Sequence, residues 1–322
     1  MDSVDATLAA QLGQTLQKTD FPNLGTLYRG KVRDVYRQGD RLILVTTDRV
    51  SAFDVVLGTV PHKGQILNAM AQVGFEATQD IVKNHVLSIP DPNVVVAARC
   101  EAYPIEFVVR GYITGSLWRD YERGQAGAYG IPLPANLRKD QAFPTPILTP
   151  TTKAQHGHDQ PISMAAIVAQ GLMTAQALEE ASAVAMALFA RGQAHAASHG
   201  LILVDTKYEL GLDAEGALRV IDEIHTPDCS RYWIAETYAE RFERGEAQAM
   251  LDKENLRAWL IDTHGYRGDG PAPVLSDEIR LLLTRRYMDA HLRLTGKAFK
   301  PEVQDVGARL AKNLEAAGLF QP

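Results

Sequence analysis

The stretch that most constrains this chain lies between residues 203 and 233, where LVDTKYELG is followed shortly by VIDEIHTPDCSRYW. Both pieces alternate apolar and polar residues, and Gly211-Leu212-Asp213-Ala214-Glu215-Gly216 between them has the composition of a turn. The pattern predicts a β-hairpin. Its polar positions include Asp205, Lys207, Glu209, Asp222 and Glu223, and a turn centred near Glu215 puts Glu209 roughly opposite Asp222. Facing carboxylates repel by roughly 4 kcal/mol at about 4 Å and an effective dielectric of about 20, which calls for a cation between them. Oxygen ligands alone suit a hard ion such as Mg²⁺, which commonly bridges protein carboxylates to nucleotide phosphates. The plain alternative is a hairpin with a solvated acidic face.

The 322 residues suffice for one large or two medium domains. A net charge of −6 gives no broad basic footprint, which argues against nucleic acid as the main partner while leaving room for local anion sites. Cys100 and Cys229 are too few and too far apart for a disulfide framework, so free thiols in a reducing compartment are expected. The start, MDSVDATLAAQLGQ, is acidic where a signal peptide is basic, and no apolar run approaches the ~18 residues of a membrane span. These features predict a cytoplasmic globular protein with small-molecule partners, no nucleic acid and no membrane; they leave a monomer or a homo-oligomer open.

Residues 4–18 have the pattern of an amphipathic helix ended by the Asp20-Phe21-Pro22 turn. TLYRGKVRDVYRQ and RLILVTTD, joined at Gly39-Asp40, predict paired strands; residues 64–80 predict a helix, and 94–110 further strands. The span 125–161 is rich in Pro, Gly and Thr and predicts a loop, which at that length in a compact domain is more often functional than accidental. An Ala-rich helical stretch covers 162–199, with Ser163 as N-cap and Gly200 just past its end, and helices recur at 276–295 and 301–317. A strand-rich first third followed by mixed helix and sheet implies an α+β protein. Its expected division is an N-terminal strand-rich lobe over 1–105 and a C-terminal mixed α/β lobe over 106–322, the latter carrying the metal hairpin and the terminal helices.

Several segments carry candidate chemistry. In Gly30-Lys31-Val32-Arg33-Asp34, Lys31 and Arg33 stand at period two beside a glycine that permits close backbone approach, a sensible phosphate clamp. It is neither a Walker A loop nor a full GxGxxG, and an exposed basic strand is the plainer reading. Asp48 and Asp54 follow the apolar strand LILVTT, where sites tend to form, although either could simply start a turn. Arg110 ends an apolar strand before Gly115 and Ser116; a planar guanidinium with a serine hydroxyl suits phosphate or carboxylate, against a structural pairing of Arg110 with Glu106 or another acid. His156, His158 and Asp159 are spaced too tightly for a standard zinc site, and His195 and His199 lack the Glu of HExxH, which leaves Lys153 as an anion binder. Arg231 follows the acidic hairpin within reach of the metal position, while Cys229 has no cysteine–histidine arrangement that would make it a nucleophile.

Taken together, these segments resemble the SAICAR synthetase (phosphoribosylaminoimidazole-succinocarboxamide synthase) family. YPIEFVVRGYITGS (103–116) and LVDTKYELG (203–211) match its two signatures, and YRGKVRDVY (28–36), DRVSAFD (48–54) and IDEIHTPDCSRYW (221–233) match in the same order. The insert ILTPTTKAQHGHDQPIS (147–163) is similar to that of the family's longer form. The resemblance implies an ATP-dependent ligase joining L-aspartate to a carboxyaminoimidazole ribonucleotide, with two lobes and the nucleotide between them in the manner of kinases and ATP-grasp enzymes. It implies ATP and Mg²⁺ as cofactors, with Glu209 and Asp222 linked to the metal and Lys31 and Arg33 on the nucleotide phosphates. It further implies Arg110, Ser116 and Arg231 around the ribonucleotide 5′-phosphate. Asp54, Asp205 and Lys207 fall near the substrates, Asp205, Lys207 and Asp222 being the candidate catalytic groups. Lys153 is a substrate-side candidate in a segment where the motifs align loosely. Two rivals differ in product and inventory. A small-molecule kinase would phosphorylate a hydroxyl, and an inactive nucleotide-binding module should lack one of Lys31, Arg110, Glu209, Asp222 and Arg231, all of which are present.

Overall fold

The computed structural model describes residues 3–153, 159–251 and 254–321, so His156 and His158 lie outside the described residues. The chain opens with α1 (Ser3–Gln11), which passes into a 3-10 turn over Leu12–Gln14 and is shorter than its amphipathic pattern predicted. Strands follow as β1 (Thr26–Arg29), β2 (Arg33–Gln38), β3 (Arg41–Thr46), β4 (Arg49–Ala52) and β5 (Val55–Thr59). Then come α2 (Lys63–Thr78), β6 (Val86–Asp91), β7 (Val94–Ala98), β8 (Glu101–Ala102) and β9 (Ile105–Tyr112). The expected loop is partly ordered: after α3 (Gly115–Glu122) it supplies β10 (Ala142–Leu148) and β11 (Thr151–Thr152). The remainder is α4 (Met164–Ala169), α5 (Ala175–Ser198), β12 (Leu201–Leu212), β13 (Leu218–Ile221), β14 (Ser230–Ile234), α6 (Ala235–Arg244), α7 (Glu254–His264), α8 (Asp277–Thr295) and α9 (Val306–Ala316).

Two compact units divide the chain: Met1–Val73 with His85–Arg99 and Asp252–Pro322, and Gly74–Asn84 with Cys100–Leu251. The first contains an antiparallel sheet in the order β1-β2-β3-β7-β6 and the separate hairpin β4-β5. Where one run from Thr26 to Gln38 was expected, the chain reverses at Gly30, whose N–H donates to the Arg33 carbonyl at 2.8 Å, and reverses again at Gly39-Asp40. One face of the sheet presents Tyr36, Ile43, Val45, Val94 and Val96, and helix α9 lays Val306, Leu310 and Leu314 against it. Those three recur every four residues and so form one stripe of a helix, which needs an apolar surface to cover. The expected boundary put the terminal helices with the second lobe; the stripe packs α9 on the first sheet, and α8 and α9 both fall in the first unit.

The second unit is built on a sheet in the order β10-β9-β12-β13, with β11 added to β9 and with β8 and β14 added to β12. Helix α5 starts as capping rules require, the Thr174 hydroxyl accepting from Ala177 N, and Ser163 caps α4 in the same way. Its buried face includes Leu178, Ala181, Ala185, Leu188, Phe189, Gly192 and Ala196. A Cβ on Gly192 would lie 2.6 Å from the His225 ring and 2.7 Å from the Leu203 side chain, so a glycine there lets the helix sit close to β12. The β12–β14 register slips by one residue: Leu203 pairs with Tyr232 but Asp205 pairs with Arg231. Val204 is the extra residue of this bulge. Neighbours on β14 point to opposite faces, so Leu203 turns toward α5 and Asp205 turns away from it.

Candidate active site

Beyond the bulge, Asp205, Lys207 and Glu209 share the face of β12 opposite α5, by the two-residue period of a strand. The register sets Asp205 beside Arg110 of β9 on one side and Arg231 of β14 on the other. The outcome is a cross-sheet row in which the Asp205 carboxylate lies 3.5 Å from the Arg110 guanidinium and 3.1 Å from that of Arg231. Arg110 also donates Nε–H to Thr149 Oγ1 at 2.8 Å and Nη2–H to Ser116 Oγ at 3.1 Å. Glu106 is engaged elsewhere, and the acid that pairs with Arg110 is Asp205. Burial pushes the Arg110 pKa down and Asp205 opposes that shift. Gly115 has φ 60, and a Cβ there would fall 2.7 Å from both terminal nitrogens of Arg231, so the backbone forms a flat floor under that guanidinium.

Two residues along the strand, Lys207 donates to Glu106 Oε1 at 2.6 Å and to Glu209 Oε1 at 2.7 Å. Lys153 bonds the other oxygen of Glu209, and Thr151 donates to Glu106 at 3.1 Å. Burial would lower the Lys207 pKa, but Glu209, Glu106 and Asp222 outweigh it and hold the ammonium well above the usual lysine range. Burial likewise raises Glu209, but Lys207 and Lys153 prevail and hold its carboxyl below the usual carboxylate range.

The β12–β13 hairpin forms, with its turn over Asp213–Ala217 centred on Glu215 as expected. Asp213 closes it by accepting from Glu215 N at 3.1 Å and Ala217 N at 2.8 Å. The register pairs Glu209 with Ile221, not with Asp222. Strict alternation would then send Asp222 to the other face. It follows the last residue of β13 with φ 66, however, and this left-handed turn of the backbone breaks the period, leaving Asp222 within the field of Lys207. Facing acids do require a cation; here Glu106 and Glu209 are the acids that converge, and Lys207 is the cation.

In the first unit, Lys31 lies in the turn between β1 and β2, while Arg33 opens β2 opposite Thr46. Period two therefore does not govern the pair. Lys31 is ion-paired with Asp54, both side chains being about half exposed. Asp54 and Phe53 form the two-residue turn between β4 and β5 with φ 62 and 52, the handedness of a tight hairpin turn of the I′ kind. Arg49, to which no motif assigns a role, is buried and fastens the Lys31 turn. It donates to the Lys31 carbonyl at 2.9 Å, to the Gly30 carbonyl at 3.0 Å and to Asp34 at 2.8 Å. Asp48 is internal bracing, accepting from Leu16 N at 2.8 Å and Gly64 N at 3.0 Å.

Other candidates stay apart from this chemistry. Burial raises the Cys229 thiol to about 11, and its sulfur contacts Thr226 and Ser230. The rings of His195 on α5 and of His199 just past its end lie 4.6 Å apart, but among the described residues no three His, Cys, Asp or Glu side chains are grouped to hold a metal. Glu106, Thr149 and Arg49 were the members that motif reading missed. Only the spacing of Glu106 and Arg110, four apart on one strand and hence on one face, hinted at any of them.

Two arginines and a serine beside a lysine-bridged carboxylate cluster offer charges and donors that suit anionic groups. The SAICAR synthetase family model matches residues 26–273. The chain is 49% identical over 288 residues to a phosphoribosylaminoimidazole-succinocarboxamide synthase of Legionella pneumophila (strain Paris), covering 88% of this chain and 92% of that one. It is 47% identical over 311 residues to the enzyme of the same description from Bacteroides fragilis, covering 94% and 98%. Among solved structures, SAICAR-synthase from Saccharomyces cerevisiae complexed with SAICAR superposes with a TM-score of 0.78 at 30% identity, over 89% of this chain and all of that one. The chain belongs to the SAICAR synthetase family, and with it to the ligases of purine biosynthesis. Its α+β fold is that of the family. No helix among the described residues is long and apolar enough to cross a membrane.

Proposed function

We propose that the chain joins L-aspartate to the 4-carboxylate of an aminoimidazole ribonucleotide, with ATP as the activating phosphoryl donor. The observation that carries this reading is the row Arg110–Asp205–Arg231 with Ser116 at one end, two residues from the Lys207–Glu209 cluster on the same strand face. A carboxylate is a poor acylating agent because oxide is not a viable leaving group. In the first step a carboxylate oxygen bonds to the γ-phosphorus and the bond from that phosphorus to ADP breaks. In the second, the aspartate amine bonds to the carbonyl carbon, phosphate departs with the bridging oxygen, and the amine loses a proton. No enzyme nucleophile is required, in keeping with the inert Cys229 thiol.

On this reading Arg110, Ser116 and Arg231 take the ribonucleotide 5′-phosphate through charge-assisted hydrogen bonds. Asp205 holds the two guanidiniums in place, and Lys207 offsets charge at the reacting carboxylate. Lys31 and Arg33 take nucleotide phosphates, while Asp54 and Lys153 adjust to substrate as the present partners of Lys31 and Glu209. Glu209 and Asp222 fit a hard divalent cation: their donors are all oxygen, and lysine ammonium groups already bond both oxygens of Glu209. A bound Mg²⁺ would neutralise phosphate charge there. Incubation with ribonucleotide carrying ¹⁸O in the 4-carboxylate, ATP and aspartate tests the scheme. Label should appear in released phosphate, and unlabelled phosphate would overturn carboxylate activation.

A further inference from the structure

The β4–β5 turn is made of residues that do not favour its conformation. Its central residues, Phe53 and Asp54, have φ 52 and 62, a left-handed backbone that suits asparagine and glycine and disfavours an aromatic side chain. A turn of this kind persists only where its surroundings hold it. Here they come from the far end of the same unit. The Tyr266 ring meets the Phe53 ring edge-on, with centroids 6.1 Å apart at 76°. The Arg257 guanidinium lies over the Phe53 ring, 6.0 Å from its centroid. A Cβ on Gly268 would lie 3.0 Å from the Phe53 Cβ, so the chain just after Tyr266 runs directly against the turn. Tyr266 is buried, and its hydroxyl finds no hydrogen-bond partner among the described residues. The ring, not the phenol oxygen, is therefore what this side chain contributes.

The held turn carries Asp54, the ion-pair partner of Lys31. Arg49 already fixes the backbone of the Lys31 turn through the Gly30 and Lys31 carbonyls. What remains to be ordered is the lysine side chain, which is long and rich in rotamers. Asp54 gives it one direction, and does so only while the turn beneath Asp54 stays in place. The pair is half exposed and therefore weak, so handing the ammonium to a phosphate costs less than ordering a free lysine. We propose that Tyr266 is a positioning residue for the nucleotide: it holds the Phe53-Asp54 turn, and Asp54 thereby orders the Lys31 ammonium before a nucleotide phosphate takes it over. This inference rests on the phosphate role given above to Lys31. Tyr266 acts through Phe53 and Asp54 and is itself assigned to no substrate.

The test compares the full-length enzyme with Tyr266→Leu, Tyr266→Phe, Phe53→Leu, Lys31→Ala and the double variant Tyr266→Leu/Lys31→Ala, by steady-state kinetics in ATP and in the ribonucleotide. Tyr266→Leu should raise the ATP KM about three- to fivefold while leaving kcat and the ribonucleotide KM within about 1.5-fold. Phe53→Leu, on the other side of the same contact, should match it, and carries the test if Tyr266→Leu does not fold. Tyr266→Phe keeps the ring and should leave the ATP KM within about 1.5-fold of the parent. The double variant should be no worse than Lys31→Ala alone, because both changes act through one ammonium. An unmoved or lowered ATP KM in Tyr266→Leu and Phe53→Leu, an equal rise in both substrates' KM, a rise in Tyr266→Phe as large as in Tyr266→Leu, or multiplying effects in the double variant would each overturn the proposal. Lys31→Ala also serves as the control. If it leaves the ATP KM unmoved, the phosphate assignment itself fails; if it raises that KM while Tyr266→Leu does not, only the positioning role fails.

Discussion

The row Arg110–Asp205–Arg231 and the pair Lys31–Asp54 are both ion pairs between groups assigned to substrates, yet they are made in opposite ways. The row is written into strand register: three antiparallel neighbours bring its members together, and all three side chains are largely buried. The pair joins two turns, and both of its side chains are about half exposed. Exposed pairs of that kind contribute about 0–1 kcal/mol, whereas breaking one member out of a buried network costs several. The difference separates two ways of preparing for an anion. The row is held by the fold before any substrate arrives, whereas the turn pair can open at little cost.

The largest effect that would break this contrast is expected in the buried network. Lys207→Ala leaves Glu106 and Glu209 converging without their cation. We expect kcat/KM to fall by about 10³-fold and urea unfolding to lose about 3 kcal/mol at neutral pH, with the stability loss shrinking as the carboxylates protonate. Next, Gly115→Ala places a methyl group against the Arg231 guanidinium at a left-handed backbone position. The ribonucleotide KM should rise about 10-fold or more with the ATP KM little changed, and steady-state kinetics in both substrates would expose a shared effect if the row were not specific.

The two regions also respond to pH with opposite sign. In the second unit, burial lowers His225 from an ordinary value near 6.5 to about 3. A base whose folded pKa is depressed contributes stability that is fully present above 6.5 and is lost as pH falls toward 3. In the first unit, burial raises Asp48 from 3.8 to about 6. An acid so raised contributes stability that is fully present below 3.8 and is lost as pH rises through 6. Urea unfolding at pH 7 and 4.5 should therefore show His225→Gln removing about 2.5 kcal/mol of acid sensitivity, while Asp48→Asn removes a loss of about 2 kcal/mol at the neutral end. Slopes of the same sign would contradict the assignment. The smallest effect belongs to Lys31→Ala, which should raise the ATP KM a few-fold and shift unfolding by less than about 0.5 kcal/mol. A stability loss comparable with that of Lys207→Ala would erase the distinction between row and turn.

What the chain disclosed in advance follows the same division. Alternation and turn composition located β12, β13 and the strands around Arg110, and cap residues located the start of α4 and the end of α5, because those signals are local. Register was not local. Placing Asp222 opposite Glu209 was off by one, since a turn placed only near Glu215 leaves the pairing free by a residue; the Asp213 side chain decides it. The partner of Arg110 was likewise out of reach, because it depends on which strand lies beside β9 and in what alignment. Glu106 and Asp205 were both within the sequence motifs, and only the sheet sorts them, Glu106 to Lys207 and Asp205 to Arg110. Placing α9 with the C-terminal lobe failed for the same reason: an apolar stripe announces that it needs a surface without naming one.

The single extra residue at Val204 gives β12 two masters. Upstream of it the odd-numbered side chain faces α5, and downstream the odd-numbered side chains face the charged groups. Substitutions at Leu203 and Tyr208 should therefore drift under the demands of helix packing, while Asp205, Lys207 and Glu209 are constrained by the charges they pair with. Removing one residue there would fuse the two sets, pressing carboxylates and a lysine into the helix interface. A one-residue irregularity thus lets the structural and chemical halves of one strand vary independently.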